Sequence, residues 1–184
     1  PIETETIEKF AITIVETANR IAKIIKSLRN FAREGDQDPF ELKFPNELIQ
    51  ETLNFCAEKF RNHGLEIIGS TLNSPRKIEC RSVQISQVLL NLFNNSFDAI
   101  ENSDTKWIKH EVVYLENFAR LEISDSGSGI PKALADKIMQ PFFTTKPIGK
   151  GTGLGLSISR SIIEEHGGKF FLDETCPNTK FIIE

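Results

Sequence analysis

The spacing of hydrophobic residues changes near residue 35, and this change divides the chain into two parts. In the first 33 residues, apolar side chains recur at alternating steps of three and four, with one break at Thr17. A second apolar column makes the stripe wider than a two-stranded coiled coil needs, which predicts one long helix packed in a helical bundle. A helix lying on its own domain is the alternative interpretation. The two columns are Ile7, Phe10, Ile14, Ile21, Ile24, Leu28 and Phe31, and Ala11, Ala18, Ile25 and Ala32.

A break follows at Gly35–Pro39, where glycine permits a helix to end and proline disfavours helix in the residue before it. We therefore predict two domains, a partial bundle domain at 1–34 and a second domain at 35–184. The second part mixes strand-like and helical spacing, which predicts an α+β fold, a two-layer α/β sandwich with a mixed sheet. The predicted strands are 40–44, 65–68, 77–80, 107–115, 118–124, 169–172 and 180–183, and the predicted helices are 46–62, 83–101 and 154–166.

Composition excludes several classes of protein. The net charge of -4 is spread over 184 residues without a basic block, which argues against nucleic acid as a partner. Cys56, Cys80 and Cys176 lack a metal-binding or disulfide-rich spacing and are predicted to be free thiols in a reducing compartment. No apolar run approaches the roughly 20 residues needed to cross a bilayer. We expect a cytoplasmic fragment of a longer protein, since it starts at Pro1, and expect any membrane anchor in segments outside it.

Three oxygen-bearing side chains share one face of the helix predicted at 83–101. Asn91, Asn95 and Asp98 stand at positions i, i+4 and i+7, and this spacing places them on the same side. Mg²⁺ prefers hard oxygen ligands and takes the rest of its shell from water and substrate phosphates. The row is a candidate metal site, although asparagines in a helix can also simply face water.

Asp125 comes directly after a predicted strand and is followed by Gly127 and Gly129. Two glycines let the backbone approach a flat ligand, and a buried carboxylate could accept a hydrogen bond from an exocyclic amine such as that of adenine. The alternative is a tight turn in which the Asp side chain folds onto its own backbone.

A glycine-rich segment runs directly into the helix predicted at 154–166. Free backbone N–H groups at the amino end of a helix attract phosphate, and glycine lets several of them converge on one anion. The spacing is neither that of the Walker pattern nor that of a dinucleotide fingerprint. Because a loop with aromatic residues and a lysine precedes the glycines, we predict a lid over a ligand at about 139–153. The residues concerned are Phe143, Thr144, Lys146, Gly149, Lys150, Gly151, Gly153 and Gly155.

In this order, the segments resemble the nitrogen, first-glycine, phenylalanine and second-glycine boxes of the ATPase superfamily of histidine kinases, gyrase, ninety-kilodalton heat-shock chaperones and mismatch-repair ATPases. The resemblance covers the chain from about Phe40 to its end, and the residues within the motifs are similar to those of sensor histidine kinases of the nitrogen-regulation type. It rests on Asn91-Leu92-x-x-Asn95, Asp125-x-Gly127-x-Gly129, Phe142-Phe143-Thr144-Thr145-Lys146, Gly151-Thr152-Gly153-Leu154-Gly155-Leu156 and His166-Gly167-Gly168-Lys169. Residues 20–33 are similar to the second helix of that family's dimerisation and phosphotransfer domain.

The resemblance implies that the chain binds ATP and Mg²⁺. Asn95 would be the metal ligand with Asn91 beside it, and these two are the catalytic candidates. Asp125 would bind the adenine amine. Hydrolytic relatives have a water-activating glutamate in place of Asn91, so an amide there fits phosphoryl transfer to a protein side chain. The other candidate nucleotide-binding residues are Asp98, Gly127, Gly129, Phe143, Thr144, Lys146, Lys150, Gly151, Thr152, Gly153, Leu154 and Gly155.

The resemblance also implies partners. The phosphoryl group would pass to a histidine on the first bundle helix of the full-length kinase, a homodimer, and then to an aspartate in the receiver domain of a response regulator. His63, His110 and His166 lack the setting of that acceptor and are interpreted as surface or turn residues. We therefore expect autophosphorylation only with an acceptor helix supplied in trans. For this chain we predict weak self-association through Ile7, Ile14, Ile21 and Leu28.

Two positions depart from the family pattern, and two other functions share part of it. Arg81 stands where relatives place an aspartate, so Ser82 is predicted to cap the following helix, and Ser96 replaces a small alanine.

One alternative function is a protein-serine kinase of the same superfamily, against which the bundle helix argues. The other is a pseudo-kinase that serves only as a dimerising interaction module, which nucleotide binding would exclude.

Overall fold

The computed structural model describes residues 6, 8–15, 17–18, 21–22, 25, 38–69, 76–147 and 151–184. The described residues before 26 are helical, as predicted. Their large apolar side chains are exposed, including Ile14 and Ile21 of the predicted association stripe. Ile7, Leu28 and most of the predicted boundary at 35–39 lie outside the described residues. In the part of the chain that is described, no helix combines the length and apolar character needed to span a bilayer.

A five-stranded mixed sheet forms one layer of the domain. The strands of the domain are β1 (Glu41–Lys43), β2 (Glu66–Gly69), β3 (Ile78–Cys80), β4 (Trp107–Tyr114), β5 (Ala119–Asp125), β6 (Phe170–Leu172) and β7 (Lys180–Ile183). The strand order of the sheet is β2-β4-β5-β7-β6, with β2 and β4 parallel and every other neighbouring pair antiparallel. A separate antiparallel pair, β1 with β3, lies outside this sheet. The mixed sheet confirms the predicted fold class.

The helices form the second layer, with α2 at its centre. Helix α2 contacts α1, α4 and strands β4 and β5. The apolar side chains on its inner face recur at helical spacing and are almost completely buried, for example Val88 and Phe93 at 0% exposure, so core packing stabilises the helix on that face. The helices are α1 (Pro45–Asn62), α2 (Ser82–Ile100), α3 (Lys132–Ala135) and α4 (Gly155–Glu165). The one-turn helix α3 was not predicted from the sequence.

The start of α2 differs from the prediction. Ser82 is the first helical residue, Arg81 occupies the N-cap position, and no side chain caps the helix, so the prediction of a Ser82 cap was wrong. The backbone N–H of Arg81 instead donates to Nε2 of His166 at 3.1 Å. Since Nε2 accepts, the other ring nitrogen Nδ1 carries the proton and donates to the carbonyl of Ile162 at 2.7 Å. His166 therefore joins the carboxyl end of α4 to the amino end of α2.

His110 is not the surface residue that the sequence suggested. It lies on β4 opposite Gly69 of β2, and a Cβ built on Gly69 would lie 2.0 Å from His110 Nε2. The ring therefore covers the glycine, and burial lowers the pKa of His110 below its ordinary value. His63 is exposed just beyond α1, as expected, with Nδ1 2.8 Å from the carbonyl of Lys59.

Candidate active site

The outer face of α2 carries the predicted row of polar side chains. Asn91 and Asn95 are half-buried and Asp98 is exposed. The side-chain N–H of Asn95 donates to Oδ1 of Asn91 at 3.3 Å, so the i and i+4 side chains meet on one face as their spacing predicted. Burial of the opposite face in the core fixes the direction in which this row points.

A lysine from the segment that the sequence predicted as a lid lies on this row. Lys146 Nζ donates to Asn95 Oδ1 at 3.0 Å and to Asp98 Oδ2 at 2.7 Å. Lys59 Nζ lies 3.8 Å from the other carboxylate oxygen of Asp98. The oxygens of Asn95 and Asp98 thus already hold a cation in this structure. Amide and carboxylate oxygens are also the ligands that Mg²⁺ accepts in proteins, so the donor set fits that metal.

Asn91 is held by the amino-terminal half of α4. Its side-chain N–H donates to Oγ of Ser159 at 2.9 Å. A Cβ built on Gly155 would lie 2.1 Å from Asn91 Oδ1, so the amide occupies the space that any larger residue at position 155 would need. Glycine at this position therefore permits close packing of α4 against α2.

Asp125 ends strand β5 and is 1% exposed. Its Oδ1 accepts the backbone N–H of Gly127 at 2.9 Å, and the side chains of Ser96 and Thr179 also donate to the carboxylate. Burial raises the pKa of Asp125 above its ordinary value of 3.8, and these hydrogen bonds partly oppose the rise. The side chain folds onto its own backbone, as the turn interpretation proposed, and it also faces a cavity.

That cavity, of about 620 Å³, extends from Asp125 to the asparagine row and the lid. Its lining combines polar groups with apolar side chains from α3, α4 and the loops. The residues that line it are Gln87, Asn91, Asn95, Ser96, Ala99, Asp125, Gly127, Ser128, Gly129, Ile130, Pro131, Leu134, Ile138, Phe143, Thr144, Thr145, Lys146, Gly151, Thr152, Gly153, Leu154, Gly155, Leu156, Ile158, Ser159, Thr179 and Phe181.

The two ends of the segment that the sequence predicted as a lid lie against each other. Gly153 has φ of 70°, and a Cβ built on it would lie 2.4 Å from the carbonyl carbon of Phe142. Both the conformation and the space therefore require glycine. A Cβ on Gly151 would lie 2.6 Å from Thr144 Oγ1, which also accepts the backbone N–H of Lys146 at 3.1 Å. The candidate Lys150 lies outside the described residues.

All described candidates except Asp98 line this cavity, and Asp98 adjoins it through Lys146. The sequence analysis did not identify Ser159 and Thr179 as residues of the site, and it named Ser96 only as a departure from the family pattern. No local pattern indicates these three residues, because their partners Asn91 and Asp125 come from other elements of the fold. Only the packing of α4 on α2, and of β7 beside β5, brings them together.

The chain is similar to known proteins in sequence and in fold. Residues 80–184 match the family described as histidine kinase-, DNA gyrase B-, and HSP90-like ATPases. The sensor protein FixL of Bradyrhizobium diazoefficiens is 32% identical over 92% of this chain, which spans 33% of that protein. The catalytic domain of the histidine kinase ThkA, in a nucleotide-free form, is 38% identical with a TM-score of 0.70, over 78% of this chain and 93% of that domain.

A longer structure extends the similarity to the whole chain. ThkA in complex with the response regulator TrrA is 30% identical with a TM-score of 0.74, over 100% of this chain and 52% of that one. The family match, the close similarity to an isolated catalytic domain and the cavity described above agree. The chain therefore belongs to the histidine kinase-, DNA gyrase B- and HSP90-like ATPase family, and its second part is the ATP-binding catalytic domain of a sensor histidine kinase.

Proposed function

We propose that this domain binds ATP together with Mg²⁺ in the cavity and transfers the γ-phosphoryl group to a histidine of its parent protein. The observation that supports this most is the arrangement of one cavity, with the buried carboxylate of Asp125 in one part and the amide of Asn95 in another, where Lys146 joins Asn95 to the adjoining carboxylate of Asp98. Its volume of about 620 Å³ falls within the range of roughly 300–1,000 Å³ that is typical of small-molecule sites.

Asp125 is the proposed adenine-binding group. The hydrogen bonds from Gly127, Ser96 and Thr179 hold the carboxylate in one orientation, and a carboxylate oxygen accepts a hydrogen bond from an exocyclic amine. Ile130, Ile138 and Phe181 line the same cavity, and apolar side chains suit the faces of an aromatic base.

The amino end of α4 is the proposed phosphate site. The backbone N–H groups that follow Gly151 and Gly153 precede the first turn of α4, where the helix dipole favours negative charge. Lys146 would exchange its contact with Asp98 for a phosphate oxygen, which keeps the ammonium paired with an anion in both states. Asn95 Oδ1 would then bind Mg²⁺, and the bound ion would neutralise part of the negative charge of the phosphates.

The domain organisation and the partners of the parent protein are part of this proposal. We assign residues 1–34 to a partial dimerisation and phosphotransfer domain and residues 35–184 to the catalytic domain with its lid at about 139–153. The ThkA complex with TrrA supports a response-regulator receiver domain as the next acceptor. The histidine would lie on a bundle helix of a homodimeric parent, as its place in the family implies.

Calorimetric titration with a non-hydrolysable ATP analogue, with and without Mg²⁺, tests the proposal. We expect binding by the chain itself, loss of most affinity in Asp125→Asn, and loss of the Mg²⁺-dependent part in Asn95→Ala. Asp104→Asn and Asn94→Ala are matched controls, because Asp104 and Asn94 do not line the cavity. Labelled ATP and a separate bundle domain that carries an acceptor histidine would then report phosphoryl transfer.

No binding by a chain whose fold is intact by circular dichroism would overturn the proposal and favour a dimerising interaction module. Equal losses in the control variants would show that the cavity is not the binding site. Transfer of the phosphoryl group to a serine in place of a histidine would support the ATP site but reject histidine as the acceptor.

A further inference from the structure

Asn91 and Asn95 form a hydrogen-bonded series that ends on α4. Asn95 donates to Asn91 at 3.3 Å, and Asn91 donates to Ser159 Oγ at 2.9 Å. Ser159 is 2% exposed and lies one helical turn after Gly155, so both face the same side of α4. The Asn91 amide therefore lies in a notch that has the bare backbone of Gly155 at one end and the Ser159 hydroxyl at the other. We call Asn95, Asn91 and Ser159 the amide relay.

The cation at the open end of the relay determines its direction. The Lys146 ammonium can only donate, so Asn95 must present Oδ1 to it and Nδ2 to Asn91. Asn91 must then present Oδ1 to Asn95 and Nδ2 to Ser159. Mg²⁺ at Asn95 would impose the same direction, since a metal ion also binds the amide through oxygen. The Ser159 hydroxyl accepts the inner N–H of Asn91 and so satisfies the buried end of the relay in the orientation in which Asn95 offers oxygen to a cation.

We propose that Ser159 is a positioning residue for the metal ligand Asn95 and acts through Asn91. This inference rests on the proposed function, because it concerns the metal that accompanies the nucleotide. Without the Ser159 hydroxyl, the inner N–H of Asn91 loses its acceptor in a half-buried site. Rotation of the Asn91 amide would then present its N–H groups to Asn95 and favour the rotated Asn95, which turns nitrogen toward the cation. Partners behind a metal ligand typically contribute about 10–100-fold to metal affinity.

The first test uses the nucleotide-free chain. Ser159→Ala and Ser159→Cys remove or weaken the acceptor with little change in volume. We expect both to shift the side-chain amide resonances of Asn91 and Asn95 in nitrogen–proton correlation spectra. Ser157→Ala is the matched control, because Ser157 lies on the same helix, its hydroxyl donates to the carbonyl of Leu154 at 2.9 Å, and it does not line the cavity. Unchanged Asn91 and Asn95 amide resonances in both Ser159 variants would overturn the proposal.

The second test measures the Mg²⁺ concentration at half-saturation for binding of a non-hydrolysable ATP analogue. We expect this concentration to rise about 10-fold in both Ser159 variants, with affinity for the metal-free analogue in EDTA unchanged and no change in Ser157→Ala. Equal losses with and without Mg²⁺ would show a merely structural role and overturn the proposal. If the unmodified chain binds no nucleotide, the proposed function fails, while the resonance test still decides whether Ser159 orients the two amides.

Discussion

Replacing Gly155 by alanine tests how tightly α4 packs on α2, because two effects of known size oppose each other. Alanine is the better helix former, by at most about 1 kcal/mol at an interior position and less at the first residue of a helix. Against this gain, the added methyl would lie 2.1 Å from Asn91 Oδ1, and the three nearest atoms to it all belong to the Asn91 amide. The amide must move away.

The displaced amide determines the sign of the effect. Asn91 would lose its hydrogen bond to Ser159, and an unsatisfied partly buried polar group costs about 1–3 kcal/mol. Overpacking of the interface adds strain of a similar size. We therefore expect Gly155→Ala to lower the free energy of unfolding by about 2 kcal/mol net, which corresponds to a fall in Tm of about 4–8 °C for a domain of this size.

Urea unfolding in two backgrounds is the decisive assay. In Asn91→Ala the atoms that block the methyl are absent, so Gly155→Ala should be neutral or slightly stabilising there, and the double-mutant cycle should give a coupling energy of about 2 kcal/mol. An equal cost of Gly155→Ala in both backgrounds would refute the steric argument. It would place the role of the glycine in its own backbone at the start of α4 instead.

Two further predictions concern stability. Because burial raises the pKa of Asp125 above 3.8, the folded protein keeps this proton to higher pH than the unfolded chain, and stability falls as pH rises between the two pKa values. Asp125→Asn removes that fall, so across this pH interval the free energy of unfolding of the variant should rise relative to that of the unmodified chain. Urea unfolding at successive pH values measures both, and parallel pH profiles for the two proteins would contradict the burial argument. His166→Ala should lower the free energy of unfolding by about 1–3 kcal/mol, since it leaves the backbone N–H of Arg81 without its acceptor. The exposed His63→Ala is the control, and equal losses by urea unfolding would argue against the link between α4 and α2.

Most secondary structure was predictable because burial imposes the period of each element on the sequence. The predicted helix at 83–101 differs from α2 (Ser82–Ile100) by one residue at each end, since Val88, Leu92 and their neighbours recur at helical spacing. The short helix α3 (Lys132–Ala135) was missed, because a single turn is too short to show a period. The predicted cap of α2 was wrong for a different reason. The backbone N–H of Arg81 donates to the ring of His166, which is far away in sequence.

The same division holds for the candidate site. The spacing of Asn91, Asn95 and Asp98 predicted a shared helix face, and the structure brings all three to one edge of the cavity. The place of Asp125 after a strand predicted a carboxylate beside a tight turn, which is what β5 and Gly127 form. The sequence could not show that Ser96 and Thr179 hold this carboxylate, or that Lys146 lies on the oxygens of Asn95 and Asp98.

The sequence by itself determined most of the elements, the fold class and the candidate residues for nucleotide binding, because helix period, strand alternation and glycine-rich turns are local properties of the chain. Tertiary structure alone decided how those residues are oriented. Asn91 faces Ser159 only because Gly155 lets α4 approach α2, and Asp125 is buried only because β7 and α2 pack around the end of β5. Orientation and burial depend on groups distant in sequence, and hydrogen-bond direction and pKa follow from that three-dimensional contact.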